Sequence, residues 1–435
     1  MFKTILNLKL HWQILIALVL AVIAGATAGK TAGIFGIAFY DIFSFFGALF
    51  MNALKMIIIP LIVSSIIVGV AGIGGGDGLA RMGGRTLLYY ATTSLFAILV
   101  GLFFVNALTP GIIDGQPAQV VLGLDAEQGK MAAAKVSERG VADIADVFLN
   151  MLPANVVAAA ANGKILGLIF FAILFGFFIT RIQEAYAEAQ YNFWQGVLEV
   201  MMKITDLVMK FAPIGVFALV AKVIASMDAN EMLSLASTLG WFSLSVILAL
   251  ATHVLVVLPL LLKYVGRVQP KRHFQAMSPA LLTAFSTASS SATLPITMDC
   301  VEKNAGVSNK TTSFVLPLGA TVNMDGTALY ECVAAMFIAQ AYGIDLSFTT
   351  QFTIVLVALL TSIGVAGIPA ASLVAITIIL SVIGLPVEAL GLILAVDRIL
   401  DMFRTSVNVF SDSCGAVIIG RLEGEKGILQ EEKAL

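Results

Sequence analysis

Six polar residues recur along one face of a predicted C-terminal helix that is otherwise apolar. Counted from the first, they fall at offsets of 0, 4, 7, 8, 11 and 15, the spacing of one α-helical face. They are Asp397, Asp401, Arg404, Thr405, Asn408 and Asp412. A charge within an apolar span costs at least about 2.5 kcal/mol, so such groups normally face a polar pathway. This polar stripe predicts a site for a charged solute and for ions.

Arg404 is suited to a carboxylate, because its planar guanidinium bonds both oxygens and keeps its charge at any relevant pH. Asp401, nearly one turn earlier, could receive an ammonium group, and Asn408 could receive a second carboxylate. Together these residues predict an acidic amino acid, whereas a C4-dicarboxylate also fits without the Asp401 contact. A simpler interpretation is an internal Asp401–Arg404 salt bridge. That pair would leave Asp397 unexplained, and Arg398 is the only partner that can be named for it.

A second polar segment, Asn323-Met-Asp325-Gly-Thr327, interrupts another apolar helix. An unwound segment at membrane depth frees backbone carbonyls, which is tolerated only where they line a cavity or are buried in protein. With Asn408 and Asp412, this segment supplies the hard oxygen ligands that alkali cations use. Coupling to sodium is therefore predicted. The alternative role for Asp325 is that of a helix cap.

Three further ionisable residues stand in apolar surroundings. Glu331 lies one turn beyond Thr327, where burial favours the protonated carboxyl and would let it carry a proton at neutral pH. An equal alternative is a glutamate in a polar seam between helices. The histidines show no nucleophile or metal pattern, so we interpret His253 as a core or helix-contact residue and His273 as a residue at the cytoplasmic start of a hairpin.

Composition indicates which elements must carry these residues. The 435 residues are 59% hydrophobic and 12% charged, with a mean hydropathy of +0.98, which is too little polar surface for a soluble globule. We predict an all-α polytopic protein embedded in a lipid bilayer, with no nucleic-acid partner. A spanning helix needs roughly 20 apolar residues. Six stretches qualify before residue 270, near 12–29, 38–72, 87–109, 163–180, 191–222 and 233–262.

Two later segments are too polar or too interrupted to be ordinary spans. Residues 274–303 contain a run of small hydroxyl residues that ends at Pro295, and residues 348–380 are broken by a glycine-rich run that contains Pro369. Both are predicted to be re-entrant hairpins. Paired interruptions of this kind indicate inverted repeats around a site near the midplane of the membrane.

Basic residues in short loops predict the orientation, because such loops stay cytoplasmic. The basic residues concerned are Arg81 and Arg85, then Lys263, Arg267, Lys271 and Arg272, and finally Arg421, Lys426 and Lys433. The acidic-leaning segment of residues 111–148 is placed outside. Both termini are then cytoplasmic, in a plasma (inner) membrane.

Four ordered motifs carry a family resemblance. They are the serine-rich tip at 289–291, the Asn323–Thr327 segment, Ala366-Gly367-Ile368-Pro369, and Asp401-Met-Phe-Arg404-Thr405-Ser-Val-Asn408 followed by Asp412. With them the chain resembles the dicarboxylate/amino acid:cation symporters, which include glutamate and aspartate transporters and the excitatory amino acid transporters of animals. The resemblance implies eight transmembrane helices plus two re-entrant helical hairpins, and an elevator-type homotrimer. Its scaffold would comprise 1–80 and 111–222, with the extracellular loop, and its transport domain 81–110 and 223–435.

The resemblance also implies the site residues. Those for the acidic solute are Ser289, Ser290, Thr327, Gly367, Ile368, Asp401, Arg404, Thr405 and Asn408. Three sets for co-transported sodium ions are Gly319, Asn323, Asn408 and Asp412; Thr321, Ser362, Ile363 and Val365; and Tyr90, Thr93, Ser94, Asn323 and Asp325. Glu331 matches the proton-carrying glutamate of animal members. Archaeal members carry an arginine where this chain has Ala288, and animal members carry one where it has Met402, so the resemblance leaves open which group balances the empty site.

The function predicted is sodium-coupled symport of glutamate or aspartate, with protons as a further coupled ion. A C4-dicarboxylate symporter of the same fold is the alternative within the class. An anion channel is the alternative from another class, since an arginine and helix ends in a pore can select anions. An enzyme is not predicted, because the serine run lacks a Gly-x-Ser-x-Gly turn or a base to activate a nucleophile.

Overall fold

Helices form most of the described chain. In a lipid bilayer the backbone N–H and C=O groups of a long apolar stretch cannot bond water, and a helix lets them bond one another. The computed structural model describes residues 10–72, 77–122, 152–162, 165–227, 229–362 and 371–429. The N-terminal part contains α1 (Leu10–Ala28), α2 (Phe39–Ala71), α3 (Asp77–Leu108) and α4 (Ala118–Val121). Two antiparallel hairpins lie between these helices, β1 (Gly33–Ile34) with β2 (Ile37–Ala38) and β3 (Ile112–Ile113) with β4 (Gln116–Pro117).

The central part contains α5 (Val156–Ala161), α6 (Ile165–Ile179), α7 (Glu184–Lys210), α8 (Ala212–Ala225), α9 (Ala229–Thr252) and α10 (Leu258–Tyr264), with a π-helical turn, His253–Val257, between the last two. The C-terminal part contains α11 (Pro270–Thr287), α12 (Ser290–Asp299), α13 (Asn309–Val322), α14 (Asp325–Ala341), α15 (Phe348–Ser362), α16 (Ala371–Ile383) and α17 (Leu390–Leu422). A second π-helical turn, Cys300–Asn304, follows α12.

Several of these helices are apolar enough to cross a membrane. Among the described residues, Arg81–Leu108 and Glu231–Tyr264 have the length and composition for a full span. A third candidate is the pair Glu184–Val208 and Ala212–Ala225, which is bent by 54°. The bend coincides with Pro213 at the start of α8, as expected for a residue that lacks a backbone N–H.

The helices pack in two groups. In the first, α1 lies along α8, and α2 contacts α6, α7 and α8. In the second, α14 packs against α3 and α17, while α11 and α13 also contact α17. The polar residues of α17 face the second group of helices. Three of them, Arg404, Asn408 and Asp412, are buried in the core of that group.

Both predicted hairpins contain two helices. In the first, α11 ends at Thr287, Ala288 adopts a left-handed backbone with φ of 49°, and the Ser289 side chain accepts a hydrogen bond from Ala292 N at the start of α12. In the second, α15 and α16 flank residues 363–370. That tip, with the candidate residues Ile363, Val365, Gly367 and Ile368, lies outside the described residues.

A short segment after α17, residues 425–429, contacts the residues between α12 and α13 and the first turn of α13. Glu425 accepts hydrogen bonds from Ser308 N at 2.8 Å, from Ser308 Oγ at 2.6 Å, and from Thr311 Oγ1. Burial raises the pKa of Glu425, but the bonds from Ser308 and Thr311 outweigh it and hold that pKa below its ordinary value. Leu429 N also donates to Ala305 O at 2.9 Å. The segment therefore connects the end of α17 to the turn that follows α12 and to the start of α13.

We expect Glu425→Gln to lower the free energy of unfolding by about 1 to 2 kcal/mol near neutral pH, since bonds to a charged acceptor become bonds to a neutral one. A lowered folded-state pKa stabilises above the unfolded value of about 4.3, and this stabilisation is lost as pH falls through the folded value. In detergent, the unfolding temperature of the unmodified protein should therefore exceed that of Glu425→Gln near neutral pH, and this difference should disappear at acid pH. Glu302→Gln, at a partly exposed site with one bond from Asn309, is the control. A difference in unfolding temperature that does not change with pH would contradict the prediction.

Candidate substrate and cation site

Arg404 is fully buried and pairs with two carboxylates on its own helix. Its Nη2 atom lies 3.0 Å from Asp397 Oδ1 and 2.9 Å from Asp401 Oδ1. Arg398 Nη1 lies 3.1 Å from Asp401 Oδ2. The internal Asp401–Arg404 salt bridge is thus present, and the suggestion of Arg398 as the partner of Asp397 was wrong. Seven residues are two helical turns, so the long arginine side chain reaches back to Asp397.

The same guanidinium lies on the face of an aromatic ring. Arg404 Cζ is 3.8 Å from the ring centroid of Tyr330, a fully buried residue of α14, which is the geometry of a cation–π contact. Among the described residues, Arg404 Nε and Nη1 have no hydrogen-bond partner. Sequence reasoning missed Tyr330, although it follows Thr327 by three residues on the same helix.

Asn408 joins α17 to the start of α14. Its Oδ1 accepts a hydrogen bond from Gly326 N at 2.8 Å, and its Nδ2 donates to Thr327 Oγ1 at 3.1 Å. A Cβ atom at Gly326 would lie 2.7 Å from Arg404 O, so glycine is what lets the helices approach here. The structure therefore brings Thr327, Arg404 and Asn408 together, and Thr405 is buried next to Arg404 on α17.

The predicted interruption is present but shorter than Asn323–Thr327. The break between α13 and α14 consists of Asn323 and Met324 alone, and α14 begins at Asp325. Asp325 is the first residue of α14, and Ser94 Oγ donates to its Oδ1 at 2.7 Å. The helix-cap interpretation of Asp325 was wrong, because Met324 is the N-cap residue and no side chain caps the helix there. The carboxylate is instead directed at neighbouring helices.

A second carboxylate lies close to this break. Asn323 Nδ2 donates to Asp412 Oδ1 at 2.9 Å, and Thr93 Oγ1 donates to Asn323 Oδ1 at 3.4 Å. A Cβ atom at Gly319 would lie 2.5 Å from Asp412 Oδ1 and 2.8 Å from the Tyr90 hydroxyl. Glycine at 319 thus brings the α13 backbone next to the carboxylate, and two of the three predicted sodium sets share this region.

The remaining candidate residues are more dispersed. In the set of Thr321, Ser362, Ile363 and Val365, the Thr321 and Ser362 hydroxyls each donate to a carbonyl of their own helix, and the other two members lie outside the described residues. Ser289 caps α12, and Ser290 is buried one residue later.

Glu331 is fully buried on α14. Its Oε2 accepts a hydrogen bond from Thr361 Oγ1 at 2.9 Å, and within the described ranges its Oε1 has no partner. Thr361 belongs to α15, one residue before the end of that helix. The glutamate therefore bonds α15, the first helix of the predicted second hairpin. This contact is a polar seam between helices, and it is also a position from which a proton could be coupled to α15.

Both histidines are fully buried and contact other helices. His253 begins the π-helical turn after α9, and its Nε2 lies 3.0 Å from Asp325 Oδ2. His253 is thus a core and helix-contact residue, as predicted, and the residue that it contacts is a predicted ion ligand. His273 is fully buried within α11, with Nε2 2.9 Å from Ser413 Oγ. A single sequence could not reveal these contacts, since each joins helices far apart along the chain.

Residues 10–422 match the model of the sodium:dicarboxylate symporter family. The chain is 34% identical to the proton/glutamate-aspartate symporter of Escherichia coli (strain K12), over 96% of this chain and 94% of that protein. It is 36% identical to the proton/sodium-glutamate symport protein of Bacillus caldotenax, over 96% of both.

An animal protein is similar to the same degree. Excitatory amino acid transporter 3 of Mus musculus is 36% identical, over 95% of this chain and 86% of that protein. The matched residues include the polar stripe of α17, the break between α13 and α14, and both segments that were predicted to be hairpins. The chain therefore belongs to the sodium:dicarboxylate symporter family.

Proposed function

We propose that this chain is a secondary active transporter that carries glutamate or aspartate across a membrane together with sodium. One observation carries the proposal. Arg404 is a fully buried cation whose Nη2 is held by Asp397 and Asp401, while its Nε and Nη1 have no hydrogen-bond partner among the described residues. A buried donor without an acceptor is costly, and a carboxylate of the substrate would satisfy it.

The neighbouring residues suit the rest of an acidic amino acid. Asp401 and Thr405 would hold the amino group, and Asn408 with Ser290 the α-carboxylate. Arg404, helped by Thr327, would hold the side-chain carboxylate. Gly367 and Ile368 would form the extracellular gate. The hydrogen bonds of Asn408 to Gly326 and Thr327 support this arrangement, because they bring α14 and α17 to one place.

Sodium would bind where buried oxygens converge. Asp412 with Gly319, Asn323 and Asn408 would form one site, and Asp325 with Tyr90, Thr93, Ser94 and Asn323 another. Carboxylate, amide and hydroxyl oxygens are the ligands that hard cations prefer. The close approach of Gly319 to Asp412 supports the first site, and the Ser94–Asp325 hydrogen bond supports the second. The third would use Thr321, Ser362, Ile363 and Val365.

The proposed mechanism is an elevator within a homotrimer of a plasma (inner) membrane, with both termini cytoplasmic. Eight spans and two re-entrant hairpins would be divided into a scaffold of 1–80 and 111–222 and a transport domain of 81–110 and 223–435. The packing in two groups supports this division, since α1, α2 and α6 to α8 contact one another while α3, α13, α14 and α17 surround the site.

The test is uptake of labelled aspartate into proteoliposomes with sodium, proton and potassium gradients imposed separately. We expect an inward sodium gradient to drive accumulation, and unlabelled glutamate to compete more strongly than succinate. Equal competition by succinate would favour a C4-dicarboxylate symporter. Ion flux without accumulation of solute would favour an anion channel, and absence of both would contradict the proposal.

Glu331→Gln should separate proton coupling from sodium coupling. Glutamine keeps the bond from Thr361 but cannot release or take up a proton, so we expect proton-driven uptake to fall at least about tenfold, while sodium-driven uptake remains. The measurement is initial uptake under each gradient, with the exposed Glu199→Gln on α7 as the control. Proton-driven uptake that persists in Glu331→Gln would assign proton coupling elsewhere.

A further inference from the structure

The Ser411 hydroxyl connects the two carboxylates of the proposed sodium sites. Ser411 is fully buried on α17, one residue before Asp412. Its Oγ lies 2.6 Å from Asp325 Oδ2 and 3.1 Å from Asn323 Nδ2. Asn323 Nδ2 also reaches Asp412 Oδ1 at 2.9 Å. A continuous chain of buried polar groups therefore runs from one carboxylate to the other.

The chemistry of the partners fixes the direction of these hydrogen bonds. An amide nitrogen is only a donor and a carboxylate is only an acceptor. Ser411 must therefore accept from Asn323 and donate its single proton to Asp325. In this arrangement the hydroxyl stabilises the Asp325 carboxylate by donating to it, together with Ser94 at 2.7 Å.

A sodium ion at Asp325 changes what is required of that hydroxyl. The cation needs oxygen lone pairs, and a proton directed at the carboxylate competes with it for the same oxygens. A hydroxyl can rotate and accept the cation, which an N–H donor such as that of His253 cannot do. The displaced proton then bonds a carbonyl one turn earlier in α17, as the Ser413 hydroxyl already does with Phe410 O at 2.7 Å.

We propose that Ser411 is an additional oxygen ligand for sodium at the Asp325 site and couples that site to Asp412 through Asn323. The inference rests on the proposed sodium sites and adds a residue that none of the three sets contains. When sodium turns the hydroxyl, the Ser411 oxygen contacts both the cation and Asn323 Nδ2, and the cation draws electron density from the oxygen that accepts the Asn323 bond. Because Asn323 also bonds Asp412, occupation of one site alters the other.

The test compares two serines of one helix. Ser411→Ala removes the hydroxyl between the carboxylates, while Ser413→Ala removes a buried hydroxyl that contacts His273 and Phe410 O. The readouts are the sodium-dependent rise in unfolding temperature of the purified protein and the sodium dependence of aspartate uptake. We expect Ser411→Ala to raise the half-saturating sodium concentration about tenfold and to lower its Hill coefficient. Ser413→Ala should stay within about twofold of the unmodified protein.

A second variant keeps the test decisive. Ser411→Cys keeps the shape of the side chain, with a somewhat larger terminal atom, but replaces a hard oxygen by a soft sulfur. It should therefore weaken sodium binding in the same direction even if the alanine variant does not fold. Unchanged or tighter sodium binding in the folded Ser411 variants, or an equal shift in Ser413→Ala, would overturn the role of Ser411 while leaving the transporter proposal standing. An unmodified protein that sodium neither stabilises nor drives would overturn both.

Discussion

Arg404→Lys should lower the kcat/KM of aspartate uptake at least about 100-fold while the protein still folds. Lysine keeps the positive charge that Asp397 and Asp401 require, but it lacks the planar fork that bonds a carboxylate. Hydrogen bonds to charged groups contribute about 1.5 to 3 kcal/mol each, so the loss of one or two accounts for this factor. The measurement is initial sodium-driven uptake, with thermal unfolding to verify folding.

Arg421→Lys is the matched control for this result. Arg421 lies on the same helix and donates to Gly266 O and Glu425 O, away from the proposed site. We expect its uptake kinetics to stay within about twofold of the unmodified protein. If Arg404→Lys transported aspartate with an unchanged KM and kcat, the substrate carboxylate would have to bind elsewhere, and the central assignment of the site would be wrong.

Asp412→Asn should raise the half-saturating sodium concentration roughly thirtyfold or abolish the sodium dependence of uptake. The amide preserves size and can still meet Asn323, but it removes a full negative charge from the cation. Two unit charges about 4 Å apart interact by about 4 kcal/mol at an effective dielectric constant near 20, and the loss of half of this gives the stated factor. Uptake of aspartate is measured against sodium concentration at constant ionic strength.

Asp299→Asn provides the control for the change in net charge. Asp299 is exposed at the end of α12 and pairs with Lys303, so its replacement should leave the half-saturating sodium concentration within about twofold. A sodium dependence that is identical in Asp412→Asn and the unmodified protein would remove Asp412 from the ion site. It would leave the arginine prediction untouched, because Asp412 lies two helical turns from Arg404.

The parts of the site that lie within one helix could be predicted from the sequence. The spacing of Arg404, Thr405, Asn408 and Asp412 defines one face at the helical period, and all four are buried. The interruption at Asn323 was predicted because an amide, a carboxylate and a glycine within four residues are costly in an apolar span. The family was recognised from the same residues and is confirmed by the match over 10–422.

Contacts between helices could not be predicted in this way. Three such contacts are Tyr330 with the Arg404 guanidinium, His253 with Asp325, and Ser411 with the groups between the two carboxylates. Each depends on how separate helices pack, which the local pattern of a single sequence does not reveal. The pairing of Arg404 with Asp397 was missed for another reason. Several carboxylates stand within reach of two arginines, and only the rotamers decide among them.

The ion pairs within α17 also determine how a membrane potential acts on the protein. Arg398 and Arg404 carry two positive charges, Asp397 and Asp401 two negative ones, and all four lie within two turns of one helix. A membrane potential does about 2.3 kcal/mol of work per 100 mV on each net charge that crosses, but almost none on a balanced quartet. The voltage dependence of a transport cycle would therefore report the solute, the bound cations and the isolated carboxylates, with the arginine electrically silent.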